Sequence, residues 1–223
     1  MSISRKKITI VLPSLGGGGA ERLHVHLAND WVAHGWSVDF VLLRRQGELL
    51  SLLAPEVTVT ALGVDRIRAA ILPLATHLRK SRPQVVIAAM WPLTSAVVFS
   101  WLLSGRASKL FLSDHENLSL SYIGQRRAKL SYLRNLIRFT YPFANGIIAV
   151  SRGVMKDLCV LGSIPLNKVR VIYNPAATGV SPLRESTIVR EHLELRLKSK
   201  FLLCKRARIF LLFSDSERIF SFY

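Results

Sequence analysis

The sequence predicts an α/β protein with a doubly wound, mostly parallel, Rossmann-like sheet, and three observations carry that prediction. Short, almost wholly apolar runs recur, such as ITIVL at residues 8–12 and VVIAA at residues 85–89. Runs of that kind suit strands buried on both faces, as in a parallel sheet. Segments with helical spacing lie between them, so strand and helix alternate along the chain. Four consecutive glycines, Gly16, Gly17, Gly18 and Gly19, follow the first strand and precede the first helix, where sheets of this type bind ligands. The 223 residues are 50% hydrophobic and 20% charged, with 31 Lys+Arg against 14 Asp+Glu and a formal charge of +17. This excludes a disordered polyelectrolyte. The length allows one large domain, or one domain with a remnant. The two cysteines exclude a disulfide scaffold and a Cys-rich zinc module, and fit a reducing cytoplasm.

The elements follow in order. Residues 8–12 form the first strand; Arg5, Lys6 and Lys7 precede it, but Pro13 and the glycines cut the apolar run too short for a signal peptide. Residues 21–34 form a helix, with Leu23, Leu27 and Trp31 at four-residue spacing and Gly35 as its stop. Residues 38–43 and 57–61 are the second and third strands, and residues 66–79 a basic helix that ends before Arg82 and Pro83. Residues 85–105 carry no charge and are about as long as a membrane span. The alternative is a buried strand at 85–89, a turn at Pro92 and a buried helix at 93–103, which continues the surrounding rhythm. A fifth strand falls at residues 110–112, a helix at 125–141, a sixth strand at 146–150, a helix capped by Ser151 and running to about Leu161, and a last strand at 169–173.

The character changes near Ala177. Residues 183–223 contain no glycine and no proline, and hold half of the phenylalanines. One helix at 185–200 and one strand are the most this stretch supports. The expected division is therefore a domain at residues 1–176 and an aberrant, poorly structured or partly helical tail at 177–223.

Three features carry chemistry. The glycine loop meets a helix N-terminus, whose unpaired N–H groups and dipole suit a phosphate or diphosphate; the plain alternative is a flexible turn. A dinucleotide fingerprint starting at Gly16 would need a glycine where Glu21 stands, and an acid after the second strand, where Arg44 and Arg45 stand. A Walker loop would need Gly-Lys-Ser/Thr, which is absent. After the fifth strand come Asp114, His115, Glu116 and Asn117. A His between carboxylates can hold a tuned imidazole or bind sugar hydroxyls, or the four residues can be a polar turn that caps the next helix. They make no metal site, because no second His lies at ligand spacing; His24 and His26 face different directions on their helix. Finally, Arg126, Arg127, Lys129, Arg134 and Arg138 decorate one amphipathic helix. Such a helix can lie on an anionic membrane, or be an ordinary surface helix with a solvated face. Neither zinc-finger spacing nor an aromatic–basic repeat is present, so nucleic acid is not an expected partner.

A family resemblance gathers these features. PSLGGGGAER (residues 13–22), LAN (27–29), HGWSV (34–38), SDHEN (113–117), AVSRGV (149–154) and VRVIYNP (169–175) resemble, in order, the N-terminal domain of GT-B glycosyltransferases of family 4. The resemblance implies transfer of a sugar from a nucleotide-sugar to a glycan or lipid-linked acceptor, with retention at the anomeric carbon and neither metal nor other cofactor. It implies that His115 is catalytic and contacts the donor sugar. It implies that Gly16 to Gly19, with Glu21, Asp114, Glu116, Asn117, Ser151 and Arg152, line the substrate cleft. It also implies a cytoplasmic protein, peripheral at the inner face of the membrane. The family's second domain normally follows the Tyr-Asn-Pro strand with a Gly-Arg start and a glutamate pair eight residues apart. Here Glu185 and Glu194 are nine apart and no Gly-Arg start follows Ala177. The expectation is a truncated transferase with little or no activity alone, or a non-catalytic binding subunit completed by a separate donor-binding chain.

Overall fold

The computed structural model describes residues 6–122, 127–174, 210–213 and 218–221. The chain divides into two compact units, Met1–Tyr173 and Asn174–Tyr223. In the first, seven strands form one sheet in the order β3-β2-β1-β4-β5-β6-β7. They are β1 (Lys7–Leu12), β2 (Ser37–Leu42), β3 (Thr58–Ala61), β4 (Val85–Ala89), β5 (Lys109–Asp114), β6 (Gly146–Ala149) and β7 (Val169–Val171). Every adjacent pair is parallel, with Ile8 opposite both Val38 and Val85. The helices are α1 (Gly19–Ala33), α2 (Ile71–Ser81), α3 (Leu93–Leu103), α4 (Leu118–Ser121), α5 (Arg127–Thr140) and α6 (Arg152–Gly162). This is the doubly wound α/β sheet that the apolar strands and their helical spacers predict.

The strand periodicity of two assigns each side chain to a layer. Val11, Val41, Val86, Ala88, Leu110, Leu112, Ile147 and Ala149 form one core with Leu74 and Leu78 of α2, Val97 and Trp101 of α3, Leu133 and Ile137 of α5, and Leu158 of α6. The alternate residues Ile10, Leu12, Phe40 and Leu42 are buried in the opposite layer, as are Val25, Ala28 and Trp31 of α1. The uncharged stretch at 85–105 is the buried strand β4 followed by α3, whose side chains are buried from Leu93 through Val98. Among the described residues, no helix is long and apolar enough to cross a membrane.

Several boundaries differ from the sequence reading. The basic helix expected from residue 66 starts as a 3-10 turn at Ile67–Ala70, and α2 proper begins at Ile71. Strand β5 is longer than residues 110–112 because its ladder to β6 extends to Asp114, opposite Ala149. Asp114 is therefore the last residue of the strand rather than part of the loop beyond it. The strand expected at 169–173 is paired only through Val171. The start of the expected helix at residue 125 and the side chain of Arg126 lie outside the described residues, as does the helix expected at 185–200.

In the second unit the described residues form an antiparallel pair, β8 (Phe210–Phe213) and β9 (Arg218–Ser221), with Leu211 opposite Phe220. The sequence reading allowed one strand there. The second arises because Ile219 and Phe220 repeat the β-favouring chemistry of Phe210 through Phe213.

Candidate functional site

The carboxyl ends of β1, β4, β5 and β6 converge on one rim of the sheet. The strand order reverses direction at β1 and β4, which opens a crevice there. The glycine loop occupies the β1 end of that rim. Gly18 caps α1 without any side-chain hydrogen bond, and Glu21 stands in the helix's first turn. Glu21 is buried, and its carboxylate folds back over the loop: Oε1 would lie 3.8 Å from a Cβ placed on Gly16, and Oε2 would collide with one placed on Gly18. An acidic group at this end of the helix is favoured by the dipole.

A second segment braces the loop. The Leu15 N–H donates to the Gln46 carbonyl at 3.0 Å, and the Leu49 N–H donates to the Leu15 carbonyl at 3.1 Å. Gly47 lies between these bonds at φ +122°, and a Cβ there would overlap the Leu15 carbonyl. This crossing brings the Glu48 carboxylate against Gly17. The glycine loop thus carries two carboxylates of its own, Glu21 and Glu48, which favours hydroxyl groups over a bare anion at its surface. After β2, where a dinucleotide fold needs an acid, Arg44 instead makes an exposed ion pair with Asp65, its Nε donating to Oδ1 at 2.7 Å.

At the β5 end the alternation of the strand splits neighbouring residues between layers. Asp114 points into the core, where Oδ1 accepts a 3.0 Å hydrogen bond from the Tyr141 hydroxyl. The Tyr141 oxygen also lies 3.0 Å from the Thr94 hydroxyl, while Asp114 Oδ2 has no partner. Burial pushes the Asp114 carboxyl up to about 7; the Tyr141 hydrogen bond opposes that, and the nearby Glu116 and Asp157 add to it. Burial, followed by the neighbouring Asp114, also raises the Tyr141 phenol well above its ordinary value.

Ser113 and His115 lie on the other face. The Ser113 hydroxyl is 3.0 Å from His115 Nε2. The His115 ring meets that of His24 on α1 edge-on, with centroids 5.5 Å apart and planes at 61°. Burial, aided by His24, holds His115 down at about 4, and burial lowers His24 as well. His26, two residues on, is exposed. The structure therefore joins the β5 end to the glycine-loop helix through two histidines.

The remaining candidates are placed as follows. Glu116 accepts from the Ser121 hydroxyl at 3.1 Å, and Asn117 caps α4 by accepting from the Leu120 N–H at 3.3 Å. With its amide reversed, Asn117 would instead donate to Asp157 of α6, in place of the cap to Leu120. Ser151 caps α6, its Oγ accepting from the Val154 N–H at 3.2 Å, and Arg152 is exposed in the first turn. The 114–117 segment thus ends in a helix cap, and the imidazole at its centre is lowered by burial and by His24 rather than by the flanking carboxylates. Among the described residues, no group of three or more His, Cys, Asp or Glu is arranged to hold a metal ion.

The sequence reading did not single out His24 as a partner of His115, nor Gly47, Glu48, Ser113 or Tyr141. Only Ser113 left a local signal, since it stands two residues before His115 on a strand.

No curated protein sequence matches the chain. Among solved structures, the fold is similar to the lipopolysaccharide outer core galactosyltransferase WaaB in its apo form, at 15% identity and TM-score 0.54, covering 76% of this chain and 46% of that one. It is similar to Anabaena Alr3699/HepE in complex with UDP-glucose, at 17% identity and TM-score 0.60, covering 75% and 43%. It is also similar to a glycosyltransferase from Rickettsia africae ESF-5, at 16% identity and TM-score 0.53, covering 86% and 49%. The chain spans about half the length of each of these structures. Residues 17–179 match the family described as Glycosyltransferase Family 4. With its parallel sheet and glycine loop in place, the chain belongs to glycosyltransferase family 4 and carries the Rossmann-like domain of that family's N-terminal, GT-B half.

Proposed function

We propose that the chain is the acceptor-side half of a retaining glycosyltransferase that moves a sugar from a nucleotide-sugar to a glycan or lipid-linked acceptor. The observation that carries this is the neutral His115 imidazole, held at the β5 end and packed on the helix that follows the glycine loop. A neutral imidazole and nearby carboxylates are hydroxyl-binding groups, suited to a sugar. In this reading His115 contacts the donor sugar, Glu21 and Gly16 to Gly19 face the acceptor, and Glu116, Asn117, Ser151 and Arg152 extend the cleft edge. Asp114, expected in the cleft lining, is turned away from it onto Tyr141 in the core. No cofactor is required beyond the nucleotide-sugar itself.

Little or no transfer is expected of the described residues alone. Saturation-transfer NMR tests the site, using purified chain with UDP-glucose and with lipid-linked oligosaccharide fractions in parallel with a turnover assay. Acceptor signals should be saturated by the wild type, and His115→Ala should weaken any nucleotide-sugar signal at least several-fold. Saturation of neither class would remove the site reading, and clear turnover by the chain alone would remove the claim of inactivity.

The peripheral membrane reading rests on α5. Lys129, Arg134 and Arg138 are exposed on it, and no acidic residue interrupts it. Tyr132 and Phe139, seven residues apart on one face, are 63% and 68% exposed. Exposed aromatics beside cations suit the headgroup region of an anionic leaflet.

A further inference from the structure

We infer that Ser113 and His24 are positioning residues that fix His115 as a single neutral tautomer, with its hydrogen on Nδ1 and a bare Nε2. The inference rests on the reading of His115 as a sugar-contacting group, but it is argued from geometry that needs no sugar.

Ser113 is 4% exposed, so its hydroxyl hydrogen has little access to water. The atom within reach of that hydroxyl is His115 Nε2, at 3.0 Å. A buried hydroxyl left without an acceptor is costly. If Nε2 carried the hydrogen, the ring would donate to Oγ and the hydroxyl hydrogen would be stranded. With the hydroxyl donating to a bare Nε2, both groups are satisfied. A neutral imidazole whose Nε2 accepts must carry its hydrogen on Nδ1.

His24 supplies the second constraint. Its Nδ1 lies 2.7 Å from the Ala20 carbonyl, which can only accept, so Nδ1 of His24 is protonated and its orientation is set. The fully buried His24 ring then stands edge-on against His115. Turning the His115 ring over would exchange Nε2 for a carbon opposite Ser113, and the His24 ring packed edge-on holds the His115 ring plane in register with that hydroxyl. The charged groups beside His115 on its own segment are Asp114, turned to Tyr141, and Glu116, engaged by Ser121. Neither has a hydrogen bond to the His115 ring, so the tautomer is left to Ser113. The consequence for the site is an imidazole that offers an N–H donor from Nδ1, rather than an acceptor, to an oxygen bound beside it.

The test is long-range proton–nitrogen correlation NMR on the purified full chain, with nitrogen-labelled histidine, at pH 7. Wild type is expected to show a protonated-type shift at His115 Nδ1 and an unprotonated-type shift at Nε2. Ser113→Ala should move the ring toward the Nε2-protonated form that free imidazole side chains favour, and Ser113→Thr should restore the wild-type pattern. His24→Phe, which keeps an edge-on ring, should preserve the tautomer, whereas His24→Ala should average the two nitrogen shifts. Backbone amide spectra identify any variant that has lost the fold, and the wild-type pattern stands as a test by itself. A wild-type hydrogen on Nε2, or a folded Ser113→Ala with an unchanged ring, would overturn the inference. UDP-glucose added to the wild type then separates the two claims. An Nδ1-protonated ring that does not respond supports the tautomer and counts only against the sugar-contacting role.

Discussion

At Gly47 the backbone holds φ +122° with the Leu15 carbonyl lying where a side chain would begin. Gly47→Ala meets both a left-handed conformation and a main-chain obstacle, so it should cost at least about 2 kcal/mol by urea unfolding. It should also displace the Glu48 carboxylate from the glycine loop. Asp114 makes a different kind of prediction. Its folded pKa of about 7 lies above the ordinary 3.8, so the folded chain holds this proton more tightly than the unfolded chain. Its contribution to stability is complete below the ordinary value and is lost as pH rises from about 4 to about 7. Asn at this position keeps an oxygen for the Tyr141 hydroxyl and cannot ionise. Asp114→Asn should therefore raise the melting temperature more at pH 8 than at pH 5; an equal effect at both values would remove the assigned burial cost. His115 works in the opposite sense. Its folded pKa of about 4 lies below 6.5, so its contribution is complete above 6.5 and is lost as pH falls toward 4.

Helix α5 shows how an element can serve two layers. Leu133 and Ile137 are fully buried and fix it on the sheet, while Tyr132, Arg134, Arg138 and Phe139 are exposed. Vesicle co-sedimentation tests what that outer face does. Binding to vesicles with about 30% anionic lipid should be strong at low salt and weaken as salt screens it. Phe139→Ser with Tyr132→Ser should reduce it several-fold without altering the melting temperature, and Arg134→Glu with Arg138→Glu should abolish it. Equal binding to neutral vesicles would dismiss the electrostatic part of the reading. The apolar stripe of this helix was legible in the sequence because a period near 3.6 needs only one chain segment to be seen. The His24–His115 contact was not, because it joins residues on α1 and at the end of β5, 91 positions apart. Spacing rules read one element at a time, and this pair exists only once the sheet has set β1 and β5 on either side of β4. The cap at Ser151 was legible for the converse reason, as it closes on Val154 three residues away.

For the first unit as a whole, apolar strands and helical spacers sufficed to predict the layers. The order of the strands places the glycine loop and His115 on the same rim, although their segments are far apart in sequence. Residues 114–117 illustrate what a linear reading misses: one polar run divides into a core carboxyl, an imidazole on the opposite face and a helix cap. The interior position of β1 also bears on how the chain is made. Its first neighbour, β2, ends at Leu42, but its second begins at Val85. During synthesis from the amino end, β1, β2 and β3 can assemble while one long edge of β1 stays unpaired, and the edge closes only after β4 has left the ribosome. For that interval the nascent chain displays an extended ITIVL segment with open hydrogen-bonding groups. Ribosome-associated chaperones that hold extended apolar strands would meet this protein there, in the stretch of translation between the second and fourth strands.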